Sequence, residues 1–124
     1  MGSREAEVDV GPLEQFEVDE PIRVDVGRRA LVIVRRGEEV FALRDLCPHM
    51  GAPLSAGRVG GTPLRCKPGE EIVYGREGEI LTCPWHGWEF ELTTGKALCT
   101  PERARVRRYD ACIRDGRVFV DMGA

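Results

Sequence analysis

Two short stretches carry the side chains that could do chemistry. The first is Cys47-Pro-His49-Met-Gly51-Ala-Pro-Leu; the second is Cys83-Pro-Trp-His86-Gly87-Trp-Glu-Phe. The chain has only two histidines, and each lies within three residues of a cysteine with a glycine close behind. Two thiolates and two imidazoles make a four-ligand metal set. One candidate occupant is structural zinc, which is tetrahedral and takes both donors. Zinc fingers, however, usually pair cysteine with cysteine and histidine with histidine, whereas each stretch here offers one of each. The other candidate is an iron–sulfur cluster with two of its four thiolates replaced. Neutral imidazoles make such a cluster less negative and easier to reduce, with potentials of about −150 to +300 mV. A red-brown colour would separate it from colourless zinc. Gly51 and Gly87 allow positive φ and close backbone approach, and Pro48 and Pro84 stiffen the chain after each cysteine.

Loops of this kind need strands to hold them, and the surrounding pattern supplies them. Short β-rich runs alternate with turn signals, and no sustained helical period is present. The segment 22–26 (IRVDV) alternates, 30–34 (ALVIV) is a continuous apolar run suited to a buried strand, and 39–43 (EVFAL) follows a turn at Gly37. Segments 71–75 and 79–83 flank Arg76-Glu77-Gly78 and read as a hairpin, whereas 56–61 (AGRVGG) reads as a loop. Segment 88–92 alternates again, and Asp115-Gly116 between two β-rich runs is a type I′ hairpin signal. The one helical candidate, 12–16, is a single turn at most. The expectation is an all-β chain of about eight to ten strands, a small sandwich or barrel. Each Cys/His stretch then falls in a tight loop at a strand end.

Bulk properties narrow the function. The chain has 124 residues and a net charge of −3, with both signs interspersed. One domain, 1–124, is expected. No basic stripe suits nucleic acid, and no apolar run reaches membrane-spanning length. The first ten residues lack the charged and apolar regions of a secretory signal, and Ala6 stands where a myristoylation motif needs Ser or Thr. The cysteine count is five, which is odd. Complete internal disulfide pairing is therefore ruled out, and a reducing, cytoplasmic setting is expected. Cys112 and Cys99 read as small core residues, and Cys66 as the most exposed; a Cys66–Cys99 disulfide is the alternative.

The two stretches together resemble the cluster-binding loops of Rieske 2Fe–2S proteins, and the resemblance runs from about residue 23 to residue 122. It implies one 2Fe–2S cluster, with Cys47 and Cys83 on one iron and His49 and His86 on the other. It implies stacked antiparallel sheets with the cluster at a tip formed by two loops. The cluster-binding part is then about 45–92. Cytochrome bc-type members carry a further cysteine in each loop; here Ala52 and Trp85 stand in those places. The serine that raises the potential after the second His-Gly is replaced by Trp88. Fewer hydrogen bonds to sulfur imply a lower potential and the ferredoxin and oxygenase branch. Between His49 and Cys83 lie 33 residues, longer than is usual in that branch. The extra length is assigned to an inserted hairpin at about 58–80, placed beside the second loop and near the cluster.

The resemblance implies a one-electron carrier. A flavin- or nicotinamide-dependent reductase would supply the electron, since no dinucleotide fingerprint is present. An oxygenase or other oxidoreductase would accept it. The chain has no spare histidines for the separate mononuclear iron of an oxygenase. The alternative is a small Rieske subunit or redox-sensing module of a larger complex. Met50, Pro84 and Trp85 would form an apolar tip for shielding and docking, and Trp88 is expected in the core. The basic run 103–108 and the acidic pair Glu70-Glu71 read as solvated faces that could steer a partner.

Overall fold

Alternation and turn chemistry place the strands largely where the sequence puts them. The structure is a computed structural model, and it describes residues 7–48, 51–63, 74–85, 87–98 and 104–123. Nine strands are found among the described residues: β1 (Glu7–Pro12), β2 (Ile22–Val26), β3 (Arg29–Arg36), β4 (Glu39–Arg44), β5 (Arg58–Pro63), β6 (Tyr74–Thr82), β7 (Glu89–Glu91), β8 (Arg108–Arg114) and β9 (Arg117–Asp121). Six form one sheet in the order β1-β9-β8-β4-β3-β2, and three form a second in the order β5-β6-β7. All strand pairs are antiparallel. The expected helical candidate is a single 3-10 turn, Leu13–Gln15. No described helix is long and apolar enough to cross a membrane.

The apolar run in β3 explains the layering. Leu31, Ile33, Val32 and Val34 are all fully buried, but they face different cores. Leu31 and Ile33 join Ala42, Tyr109, Val118, Val120 and Phe16 inside the large sheet. Val32 and Val34 join Leu43, Leu54, Leu81, Phe90 and Val106, which link the large sheet to the small one. β3 is thus a shared wall, and only a strand apolar on both faces can serve as one. Each fully buried Leu, Ile, Val or Phe contributes about 1.5–3 kcal/mol. Cys47 and Cys83 both lie in the second core, so packing between the sheets holds the two loops to the same body.

The β8–β9 hairpin is turned by Asp115 and Gly116, with φ of +51° and +72°, and Arg114 pairs with Arg117 across it. Positive φ at both central residues is what a type I′ turn requires.

Three expectations need correction. Segments 74–82 form one strand, not the end of one hairpin arm and the start of another. The turn signal at Arg76-Glu77-Gly78 marks an irregularity. Thr62 pairs with Gly75 but Gly60 with Ile80, so the three residues bulge while β6 continues along β5. The glycine-rich segment expected as a loop supplies β5, because ladder hydrogen bonds are made by backbone and need no side chains. The antiparallel pair in this segment is β5–β6 instead. Its base adjoins Cys83, through the Arg58–Thr82 pair, but its described ends at Pro63 and Tyr74 lie about 15 Å farther along the strands. Cys112 is not a core residue. In β8, Tyr109, Ala111 and Ile113 face the core, which turns Cys112 to the opposite face, where its Sγ lies 3.7 Å from Glu7 Oε2. Strand β1, paired with β9, went unassigned in the sequence, although Val8 and Val10 alternate there. Cys66, Cys99, Glu70 and Glu71 lie outside the described residues.

Candidate metal centre

The two Cys/His loops close in the same way. In the first, which follows β4, the Cys47 N–H donates to the Ala52 carbonyl at 2.8 Å, and the Gly51 N–H donates to the Cys47 carbonyl at 2.8 Å. In the second, which joins β6 to β7, the Cys83 N–H donates to the Trp88 carbonyl at 2.7 Å, and the Gly87 N–H donates to the Cys83 carbonyl at 3.2 Å. Both rings therefore run from cysteine to the fifth residue on, with a second bond from the fourth. That fourth residue is glycine in each, at φ of +76° for Gly51 and +71° for Gly87. Left-handed backbone is strained for residues with a Cβ. The glycine four residues after each cysteine thus closes the loop.

Cys47 and Cys83 are 1% and 2% exposed. Buried thiols outside a disulfide are often inert packing residues. Here, however, the two occupy equivalent positions in equivalent loops at the edge of one core. His49 and His86 lie outside the described residues, as does Met50. The donor chemistry, two buried sulfurs on loops closed in the same way, fits a cluster held by thiolates on one side.

Surrounding side chains fix the first loop. Asp45, whose side chain is wholly buried, accepts hydrogen bonds from the Ser55 N–H at 2.7 Å and the Ser55 hydroxyl at 2.6 Å. Its own N–H donates to the Ala30 carbonyl. This latch joins the start of the loop to the 3-10 turn at Leu54–Ala56, and Arg23 supplies a counter-charge at 3.5 Å. Next in the chain, Gly57 packs so closely on the Thr82 carbonyl that a Cβ would overlap it. Thr82 immediately precedes Cys83, so the turn after one loop rests on the strand that begins the other. Sequence reasoning missed Asp45 and Gly57. A buried carboxylate has no periodic signature, and a glycine at ordinary φ does not announce a close contact.

Of the two tryptophans, one stands out from its loop as expected, and the other reaches the edge of the core but not its interior. Trp85 is 56% exposed and stands out from the second loop, and Leu46, beside Cys47, is 38% exposed. Pro84 is exposed too. Trp88 is half-buried against the core, its ring 6.4 Å from that of Phe90.

Comparison with known proteins follows the same lines. The family model described as the Rieske [2Fe-2S] domain matches residues 6–110. The anthranilate 1,2-dioxygenase ferredoxin subunit of Burkholderia cepacia is 32% identical over 114 residues, covering 92% of this chain and 90% of that protein. The 3-phenylpropionate/cinnamic acid dioxygenase ferredoxin subunit of Escherichia coli K12 is 27% identical, covering 90% and 89%. Among solved structures, the ferredoxin of carbazole 1,9a-dioxygenase from Nocardioides aromaticivorans superposes with a TM-score of 0.73 at 26% identity, over 93% of this chain and 96% of that one. The chain belongs to the Rieske [2Fe-2S] family, in its ferredoxin rather than its cytochrome bc form, and its cofactor is one Rieske-type 2Fe–2S cluster.

Proposed function

We propose that the protein is a single-domain, one-electron carrier that takes an electron from a flavin- or nicotinamide-dependent reductase and delivers it to an oxygenase. Cys47, His49, Cys83 and His86 are the residues we assign to hold the cluster, which when bound supplies a centre that gains and loses one electron. The observation that carries this reading is the pair of identically closed loops, each with a buried cysteine at its first position. The likeness over nearly the whole of a relative described as the ferredoxin subunit of anthranilate 1,2-dioxygenase supports it.

The chain's own contribution is rigidity and access. Loop closure, the Asp45–Ser55 latch and the shared core keep both cysteines in place, so little must rearrange when charge changes nearby. Burial of both sulfurs keeps water away from them. Leu46, Pro84 and Trp85 give an apolar contact surface at the loops, where a partner can approach closely. We place the carrier in the cytoplasm, where a thiol outside the cluster site such as Cys112 stays reduced.

EPR of the dithionite-reduced protein tests the ligand assignment. An anisotropic spectrum with a low average g is expected, and His49→Cys or His86→Cys should shift it toward the all-thiolate form. An EPR-silent reduced protein would sink the reading. Carriage is tested by reduction with NADH and a ferredoxin reductase, followed by reoxidation on adding a Rieske oxygenase and its substrate. A protein that binds a partner in one oxidation state, without passing on its electron, would be a redox sensor instead.

A further inference from the structure

The end of the large sheet that carries the first loop is more basic than the protein as a whole. A groove of about 390 Å³ opens there, lined by Arg23, Arg28, Arg29, Arg44, Leu46 and Gly51, among others. The topology gathers the arginines. Arg28 and Arg29 sit at the β2–β3 turn, and Leu31 pairs with Arg44 at the end of β4. Arg28, Arg29 and Arg44 are exposed, and among the described residues none has a carboxylate within ion-pair distance. Arg23 is the exception, shared between Asp25 at 3.3 Å and Asp45 at 3.5 Å. Asp45 also lines the groove, buried and bonded to Ser55, but four arginines outnumber this one carboxylate, so the lining is positive on balance. Three guanidiniums without a carboxylate partner among the described residues thus line one groove with Leu46, one residue from Cys47, on a chain whose net charge is −3.

We propose that this groove is the docking site for a redox partner protein whose contact face carries carboxylates, and that it seats that partner over the first cluster-binding loop. The proposal rests on the electron-carrier reading above. Its basis is charge complementarity. Guanidiniums form bidentate pairs with carboxylates, and a local field steers encounter even where the net charge has the opposite sign. Leu46 supplies the apolar contact at the groove's inner edge, and the arginines supply orientation around it.

Two measurements on the cluster-loaded protein test this without a known partner. The first is binding of a poly-L-glutamate peptide by titration calorimetry at low salt. Binding is expected, with loss of at least tenfold in affinity in the R28E/R29E/R44E variant. The second is stopped-flow oxidation of the reduced protein by ferricyanide, an anion. The rate should fall about three- to tenfold between 10 and 200 mM ionic strength, and the triple variant should reverse that slope while keeping the parent EPR spectrum and unfolding midpoint. A ferricyanide rate that rises with salt in the parent, as the net charge dictates, would overturn the proposal. So would a triple variant that binds polyglutamate as the parent does. A salt-sensitive dimer that disappears in the triple variant would assign the groove to a second copy of the chain and likewise overturn it. Failure of the carrier reading would show differently, as a silent EPR spectrum or an electron that no oxygenase accepts.

Discussion

Replacing Asp45 should be among the most damaging single changes outside the cluster ligands, and the structure gives the size. Its carboxylate is fully buried and accepts two short bonds from Ser55, at 2.7 and 2.6 Å. Charge-assisted bonds contribute about 1.5–3 kcal/mol each. Asp45→Ala removes both and leaves the Ser55 N–H without its acceptor, for a total cost of about 3–6 kcal/mol. Asp45→Asn keeps one acceptor of the same shape and should cost about 1–2 kcal/mol. Ser55→Ala loses the hydroxyl bond alone, about 1.5–2 kcal/mol. Arg23→Ala should cost about 0.5 kcal/mol or less, because Arg23 is 52% exposed and its contact with Asp45 is long, at 3.5 Å. For a chain of this length, the Asp45→Ala cost corresponds to a fall in Tm of about 10–30 °C. Far-ultraviolet circular dichroism against temperature, with visible absorbance recorded on the same sample, measures both backbone and cluster. In Asp45→Ala the visible bands should fade below the backbone transition, because the latch holds the first loop and not the sheets. The reasoning fails if Asp45→Ala unfolds within about 1 kcal/mol of the parent. It also fails if Arg23→Ala matches Asp45→Ala, since the site would then be a charge pair and not a hydrogen-bonded latch.

Two further outcomes follow from single contacts. Gly57→Ala puts a methyl into the Thr82 carbonyl at an ordinary φ of −84°. The cost is therefore purely steric and should be about 2–4 kcal/mol by urea unfolding. Gly60→Ala, with nothing within 4 Å of its new Cβ, should stay within about 1 kcal/mol of the parent; equal costs for the two would refute the close-packing argument. Arg117 Nε donates to Asp9 at 2.7 Å, and the Gly11 N–H donates to it at 2.9 Å. These bonds, that from Arg117 foremost, hold the Asp9 carboxyl below its ordinary 3.8. A lowered carboxyl pKa gives stability that is full above the unfolded value and is lost as pH falls through the folded one. The difference in urea midpoint between parent and Asp9→Asn should accordingly be present at pH 7 and vanish in acid below that range; a pH-independent difference would contradict it.

What the sequence disclosed and what it withheld divide along physical lines. Strands with one buried face, such as β9, or two, such as β3, were legible because burial leaves a period or a run. The Asp115-Gly116 turn was legible because its backbone admits few residue types. β5 was not, because a strand rich in glycine pairs through backbone alone and shows no apolar alternation. Cys112 was placed on the wrong face by counting it as apolar. The phase set by Tyr109, Ala111 and Ile113 turns it outward. Asp45 was illegible for a related reason. Its burial is made tolerable by Ser55, ten residues on, and no local pattern encodes a partner at that distance.

The two cysteine loops were legible, and the structure shows which spacing makes them alike. The cysteine-to-histidine spacing differs between the loops, two residues in one and three in the other, so it cannot be what makes them alike. The cysteine-to-glycine spacing is four in both, and it coincides with the bond from the glycine N–H back to the cysteine carbonyl. Loop shape is therefore set by cysteine and glycine, whereas the histidine stands two residues after the cysteine in one sequence and three after it in the other. It follows that a glycine substitution and a histidine substitution should fail differently. Gly51→Ala or Gly87→Ala strains the ring at positive φ and should impair cluster retention. A histidine-to-cysteine change leaves both ring bonds available and should alter the spectrum of a protein that still assembles.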